Sequence, residues 1–104
     1  MRKMFINGAW SESPKSSPVI RSFNGETVDH IPDATDEQVE QTLEAAHKAS
    51  KILTKIPAHE RARILNKAAA LIDEHVDELA NLVSLEVGKP ISEARGEAGR
   101  GGEV

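Results

Sequence analysis

His59-Glu60-Arg61-Ala62-Arg63 opens like the zinc-binding helix His-Glu-x-x-His, in which two histidines one turn apart share a metal. The second histidine position is Arg63, and a fixed cation there repels a divalent metal, so the segment reads as the polar first turn of a helix. His30, His47, His59 and His75 show no ligand spacing on any one element and read as surface or capping residues. Gly96, Gly99, Gly101 and Gly102 could suggest a phosphate-cradling loop, but a dinucleotide fingerprint needs a strand before its glycines and a helix after them. Here a helical stretch precedes them. Val87-Gly88-Lys89-Pro90 lacks both the upstream glycine and the Ser or Thr of a P-loop. Glu86, Glu93 and Glu97 offer carboxylates for acid–base work, the last two on one helix face, yet no nucleophile or oxyanion donor adjoins them. The residues therefore assign no catalytic, cofactor-binding or metal-ligating position.

The sequence contains no cysteine, which removes disulfides, thiolate metal sites and a thiol nucleophile from its repertoire. Thirteen Lys and Arg stand against 17 Asp and Glu, and the parts before and after Ile52 each carry a net −2. Without a basic arm or face, nucleic acid is not an expected partner. Nothing approaches the roughly 20 apolar residues of a membrane span, and the start at Met1 has no apolar run of signal-peptide length. A cytoplasmic location is the expectation.

The elements that would position any site fall into two styles. Met4-Phe5-Ile6 and Ala9-Trp10 flank Asn7-Gly8, a pair tolerant of positive φ, and read as a tight hairpin. Ser11 to Pro18 reads as a loop. Val19 to Ser22 and Thr27 to Ile31 flank a second Asn-Gly, Asn24-Gly25, giving strand pairs over 4–31. Such hairpins are not stable alone in water and need a surface to dock on. From Thr35 the period changes: Thr35 and Gln38 fit a capping box, and Val39, Leu43, Ala46, Ser50 and Leu53 form a helical stripe, predicting a helix over 36–52. Pro57 then opens a long helical pattern, Leu65, Ala68, Ile72, Val76, Leu79, Val83 and Val87, over 58–87. That length, with the poor helix formers Asp73, His75, Val76 and Asp77, predicts a break near His75. Gly88 suits the left-handed residue that ends the stretch, and a third helix starts at 91 after Pro90. The three aromatics, Phe5, Trp10 and Phe23, all lie early, so the later part must build its core from Leu, Ile, Val and Ala.

Several segments together resemble the N-terminal part of the aldehyde dehydrogenase superfamily. These are Phe5-Ile6-Asn7-Gly8-Ala9-Trp10, Asn24-Gly25-Glu26, His59-Glu60-Arg61-Ala62-Arg63-Ile64-Leu65 and, most specifically, Leu85-Glu86-Val87-Gly88-Lys89-Pro90-Ile91-Ser92-Glu93-Ala94-Arg95-Gly96-Glu97. The segment Arg21 to Gly25 departs from many members in lacking a proline before Phe23. The resemblance implies an α/β fold with a Rossmann-like cofactor domain, of which this mainly helical stretch with two short β-hairpins would be the N-terminal segment. It implies oxidation of aldehydes to carboxylic acids with NAD or NADP, through attack by a cysteine thiolate and thioester hydrolysis by glutamate-activated water. The family's cofactor turn, cysteine and glutamate match nothing here. Arg61, Gly88, Lys89 and Pro90 receive packing, capping and turn roles only.

Two functions follow as expectations. The first is an N-terminal fragment of such a dehydrogenase, inactive alone, binding no cofactor alone, with the remainder of the chain or another subunit as partner and a homo-oligomer as the family assembly. The second is a stand-alone helical interaction or oligomerisation module, suggested by stripes at Val39, Leu43 and Leu53 and at Leu65, Ile72 and Leu79.

Overall fold

The computed structural model describes residues 2–103. In chain order they form strands β1 (Met4–Ile6), β2 (Ala9–Ser11), β3 (Lys15–Ile20) and β4 (Thr27–Asp33), then helices α1 (Asp36–Leu53), α2 (Ala58–Glu74), α3 (Val76–Val87) and α4 (Ile91–Arg100). The strands make two separate pairs, β1 with β2 and β3 with β4. By internal contacts the chain divides into two units. One holds the residues up to Val19 and Thr27–Ile56, the other Ile20–Glu26 and the residues from Pro57 onward.

In the first unit, β1 and β2 pair antiparallel with Phe5 opposite Trp10 and Ile6 opposite Ala9. The connection is two residues long because Asn7 and Gly8 both take positive φ, 49° and 80°, which matches the twist of the flanking strands. The Phe5 and Trp10 rings meet at 5.1 Å between centroids, tilted by 60°. The hairpin docks through β1 on α1. Helix α1 starts in a capping box: Gln38 N–H donates to Thr35 Oγ1 at 3.2 Å while Thr35 N–H donates to Gln38 Oε1 at 2.9 Å. The Gln38 Nε2 also donates to the Glu12 carbonyl at 2.7 Å, fastening the segment after β2.

The stretch from Ser11 to Pro18, expected as a loop, is strand from Lys15 onward. Two features override its poor strand composition. Ser17 Oγ donates across to the Asp33 carboxylate at 2.8 and 2.9 Å, and Ser13 Oγ bonds the Asp33 carbonyl. Pro18 is tolerated because every strand of a two-stranded sheet has a side without ladder bonds. Strand β4 correspondingly runs to Asp33, past the expected Ile31.

In the second unit, the loop after β3 is longer than a two-residue turn. Arg21 N–H donates to Glu26 O at 2.7 Å, Gly25 N–H donates to Arg21 O at 2.9 Å, and Phe23 stands 87% exposed. Helices α2 and α3 are separated at His75, whose φ of −110° and ψ of 14° leave the helical region. The His75 ring meets the Leu71 carbonyl at 2.8 Å, giving a last-turn oxygen of α2 a partner. Helix α4 continues through Gly96 and Gly99 to Arg100, farther than the glycine-rich composition suggested. Packing carries it. The α3–α4 contact is the most extensive between any two elements, and Ala80 and Ala94 are both 0% exposed.

Within the expected Leu, Ile, Val and Ala assembly, alanine takes the most buried positions. Among the described residues only those two alanines are fully buried, while Leu43 is 59% and Leu65 69% exposed. Small side chains let the α3 and α4 backbones approach, Ile72, Val76, Leu82, Val83 and Leu85 are half-buried, and other large apolar side chains such as Leu43 and Leu65 face outward. No helix among the described residues is long and apolar enough to cross a membrane.

Candidate functional site

The most developed polar arrangement in the second unit surrounds the turn from α3 to α4. Gly88 adopts φ 78°, the left-handed value that ends a helix, and its N–H donates to Ser84 O at 2.9 Å. Ser84 Oγ donates to Lys89 O at 2.8 Å, and Ser22 Oγ donates to Glu86 O. Pro90 then precedes the first turn of α4 with ψ 142°, accepting from Glu93 and Ala94 N–H at 3.0 Å each. Lys89 Nζ reaches Glu97 Oε2 at 2.5 Å, and Arg95 Nε meets Asp77 Oδ1 at 3.1 Å, linking α4 to α3. The hydrogen bond and charge of Lys89 hold the Glu97 carboxyl below its ordinary value. These groups bond the backbone and one another, so the chemistry of the cluster is that of capping and pairing.

The sequence-derived candidates separate accordingly. Glu97 is paired with Lys89, and Glu60 with Arg63, the residue that replaces the second zinc histidine. His59 lies on the exposed face of the same first turn, 3.7 Å from Glu60. His30 sits on β4, His47 on α1, His59 on α2 and His75 at the α2–α3 break, so no two histidines share an element. No group of three His, Asp or Glu capable of holding a metal occurs among the described residues. Arg61 lies in the first turn of α2, its N–H donating to Pro57 O at 3.2 Å. Sequence reasoning missed Ser22 as a partner of α3, because nothing local in the sequence pairs residues so far apart.

An NAD(P) site would need a strand, a glycine turn and a helix N-terminus in sequence, so that main-chain N–H groups face a pyrophosphate. The described residues do not fit it. Their strands form two antiparallel pairs with no parallel crossover, and α2 and α4 follow Pro57 and Pro90 where glycines would be required. Gly101 and Gly102 lie instead beside Ile72 and Asp73 of α2.

A family model, the aldehyde dehydrogenase family, matches residues 10–104. Among curated relatives, malonate-semialdehyde dehydrogenase 2 of Oceanobacillus iheyensis is 42% identical over 101 residues, covering 95% of this chain and 21% of that protein. Malonate-semialdehyde dehydrogenase 1 of Geobacillus thermodenitrificans is 43% identical with the same coverage. Among solved structures, the NADP-dependent glyceraldehyde-3-phosphate dehydrogenase of Bacillus halodurans in complex with NADP superposes with TM-score 0.95 at 30% identity, covering 98% of this chain and 22% of the other. An NAD-dependent benzaldehyde dehydrogenase of Corynebacterium glutamicum gives TM-score 0.89 at 31% identity, covering 97% and 23%. The chain thus spans about a fifth of the length of its relatives, corresponding to their N-terminal part. With the family model covering nearly all of it and the Glu86 to Glu97 motif forming the described turn, the chain belongs to the aldehyde dehydrogenase family.

Proposed function

We propose that this chain serves as the N-terminal segment of the cofactor-binding domain of an NAD(P)-dependent aldehyde dehydrogenase, and that it contributes scaffold and no catalytic, cofactor-contacting or metal-ligating residue. One observation carries the reading: the chain's elements superpose on the N-terminal part of longer dehydrogenases, while the polar groups around the α3–α4 turn are engaged in caps and ion pairs. Oxidation of an aldehyde to the acid would then be the activity of the longer protein, with malonate semialdehyde the substrate favoured by the names of the relatives. The thiolate attack and the general-base hydrolysis belong to residues outside this sequence, which holds no cysteine. The partner is the remainder of a dehydrogenase chain or a dehydrogenase subunit within a homo-oligomer, in the cytoplasm. A stand-alone helical module is not favoured by these relatives.

The test is a pair of measurements. The chain alone, mixed with malonate semialdehyde and either NAD or NADP, gives no reduced cofactor; turnover above buffer overturns the reading. Substituted for the matching segment of the Oceanobacillus iheyensis enzyme, it yields a chimera that oxidises malonate semialdehyde. A folded, assembled chimera without activity would sink the scaffold assignment.

A further inference from the structure

Two Asn-Gly pairs occur in the chain, and the fold treats them differently. In such a pair the glycine nitrogen can attack the asparagine side-chain carbonyl. The N–Cγ bond forms, the Cγ–Nδ2 bond breaks, ammonia leaves and a succinimide results. Water then opens the ring at either carbonyl, giving aspartate or isoaspartate with no change of oxidation state. Glycine is the permissive neighbour because it has no Cβ to crowd the approach and its backbone reorients freely. What remains to decide the outcome is whether the attacking nitrogen and the side-chain amide are held elsewhere.

At Asn24-Gly25 both are held. Gly25 N–H donates to Arg21 O at 2.9 Å, Asn24 Oδ1 accepts from Glu26 N–H at 3.1 Å, and Arg21 N–H closes the loop on Glu26 O at 2.7 Å. Attack there requires these bonds to open. At Asn7-Gly8 the residues are exposed, and neither the Asn7 side chain nor the Gly8 N–H has a hydrogen-bond partner among the described residues. Its flanking strands are three residues each, so few ladder bonds hold the turn.

We propose that Asn7 is a site of spontaneous succinimide formation, converted by water to isoaspartate and aspartate, and that the fold protects Asn24 from the same reaction. Isoaspartate adds a methylene to the main chain between Ile6 and Ala9, displacing their register and with it the opposed Phe5 and Trp10.

The experiment holds the 104-residue chain at mildly alkaline pH, with a parallel sample in concentrated urea. Both sites are followed by digestion, mass spectrometry and chromatographic separation of isoaspartyl peptides. In urea the shared Asn-Gly sequence sets the intrinsic ratio of the two rates. In buffer the ratio of Asn7 to Asn24 conversion rises several-fold above it, and a Trp10 fluorescence change follows Asn7 conversion but is absent from Asn7→Gln. An unchanged ratio, or faster conversion of Asn24 in buffer, overturns the proposal.

Discussion

The Ser22 hydroxyl donates to the main-chain carbonyl of Glu86, joining a loop residue to the last turn of α3 across 64 positions of sequence. Two residues on, the Gly88 α-carbon faces the same serine: a Cβ built there would lie 3.4 Å from Ser22 Cβ. The turn that carries the family's most specific motif is therefore closed from outside by Ser22 and from within by Ser84.

Replacing either partner should weaken the second unit by different means. Ser22→Ala costs roughly 0.5–1.5 kcal/mol, toward the low end because water reaches the exposed carbonyl. Gly88→Ala costs about 1–2 kcal/mol, since alanine is strained at positive φ. As the two residues touch, the double variant should depart from additivity. Urea unfolding of the four proteins checks this; strictly additive losses would show that the serine and glycine act independently.

Gln38 has two attachments, to Thr35 and to Glu12 O, whereas Thr35 serves only the cap. Thr35→Ala should cost about 1 kcal/mol, the usual value of a lost N-cap. Gln38→Ala should cost at least as much and also loosen the segment after β2. Hydrogen exchange reads the difference: the amides of β2 lose protection in Gln38→Ala and keep it in Thr35→Ala.

Those caps show what a sequence reveals and what it withholds. The Thr35–Gln38 box, the hairpin at Asn7-Gly8 and the break at His75 rest on residues near one another in the chain, where local conformational preference decides. The first part of β3, Lys15 to Pro18, reads as loop because the bonds that hold it reach Asp33, beyond the range of local propensity. The helical stripes were legible as apolar faces, but periodicity identifies a face without saying what covers it. The lack of cysteine was readable from composition, which needs no geometry. The Ser22–Glu86 contact was not readable, because it depends on tertiary packing.

Two of the smallest apolar residues, Ala80 and Ala94, are the most buried, so enlarging one of them should cost more than truncating an exposed leucine. Ala94→Leu should destabilise the isolated chain by about 1–3 kcal/mol through overpacking at the α3–α4 contact. Leu43→Ala should fall within about 0.5 kcal/mol, as befits a surface position. Placed in the chimera with a full-length relative, Leu43→Ala should become costly if that face is covered there, by about 2–5 kcal/mol. Thermal unfolding of both variants in both contexts is the measurement, and a costly Leu43→Ala in the isolated chain would contradict the exposure.

Acid should loosen the α3–α4 turn in a defined direction. Lys89 holds Glu97 below its ordinary 4.5, first through a hydrogen bond and then through charge. The folded state then binds fewer protons than the unfolded one over this range, so the pair's contribution is fully present above 4.5 and is lost as pH falls through the folded value. Asp29 is also lowered from 3.8, first by the His30 backbone N–H and to a lesser degree by the charge of Arg2 at 3.7 Å. Salt screens exposed charge pairs more than a backbone hydrogen bond. Carboxyl titrations by NMR at low and high ionic strength should move Glu97 upward more than Asp29, and Lys89→Met should return Glu97 toward 4.5 while leaving Asp29 in place. A Glu97 unmoved by Lys89→Met would show that the ion pair does not form in solution.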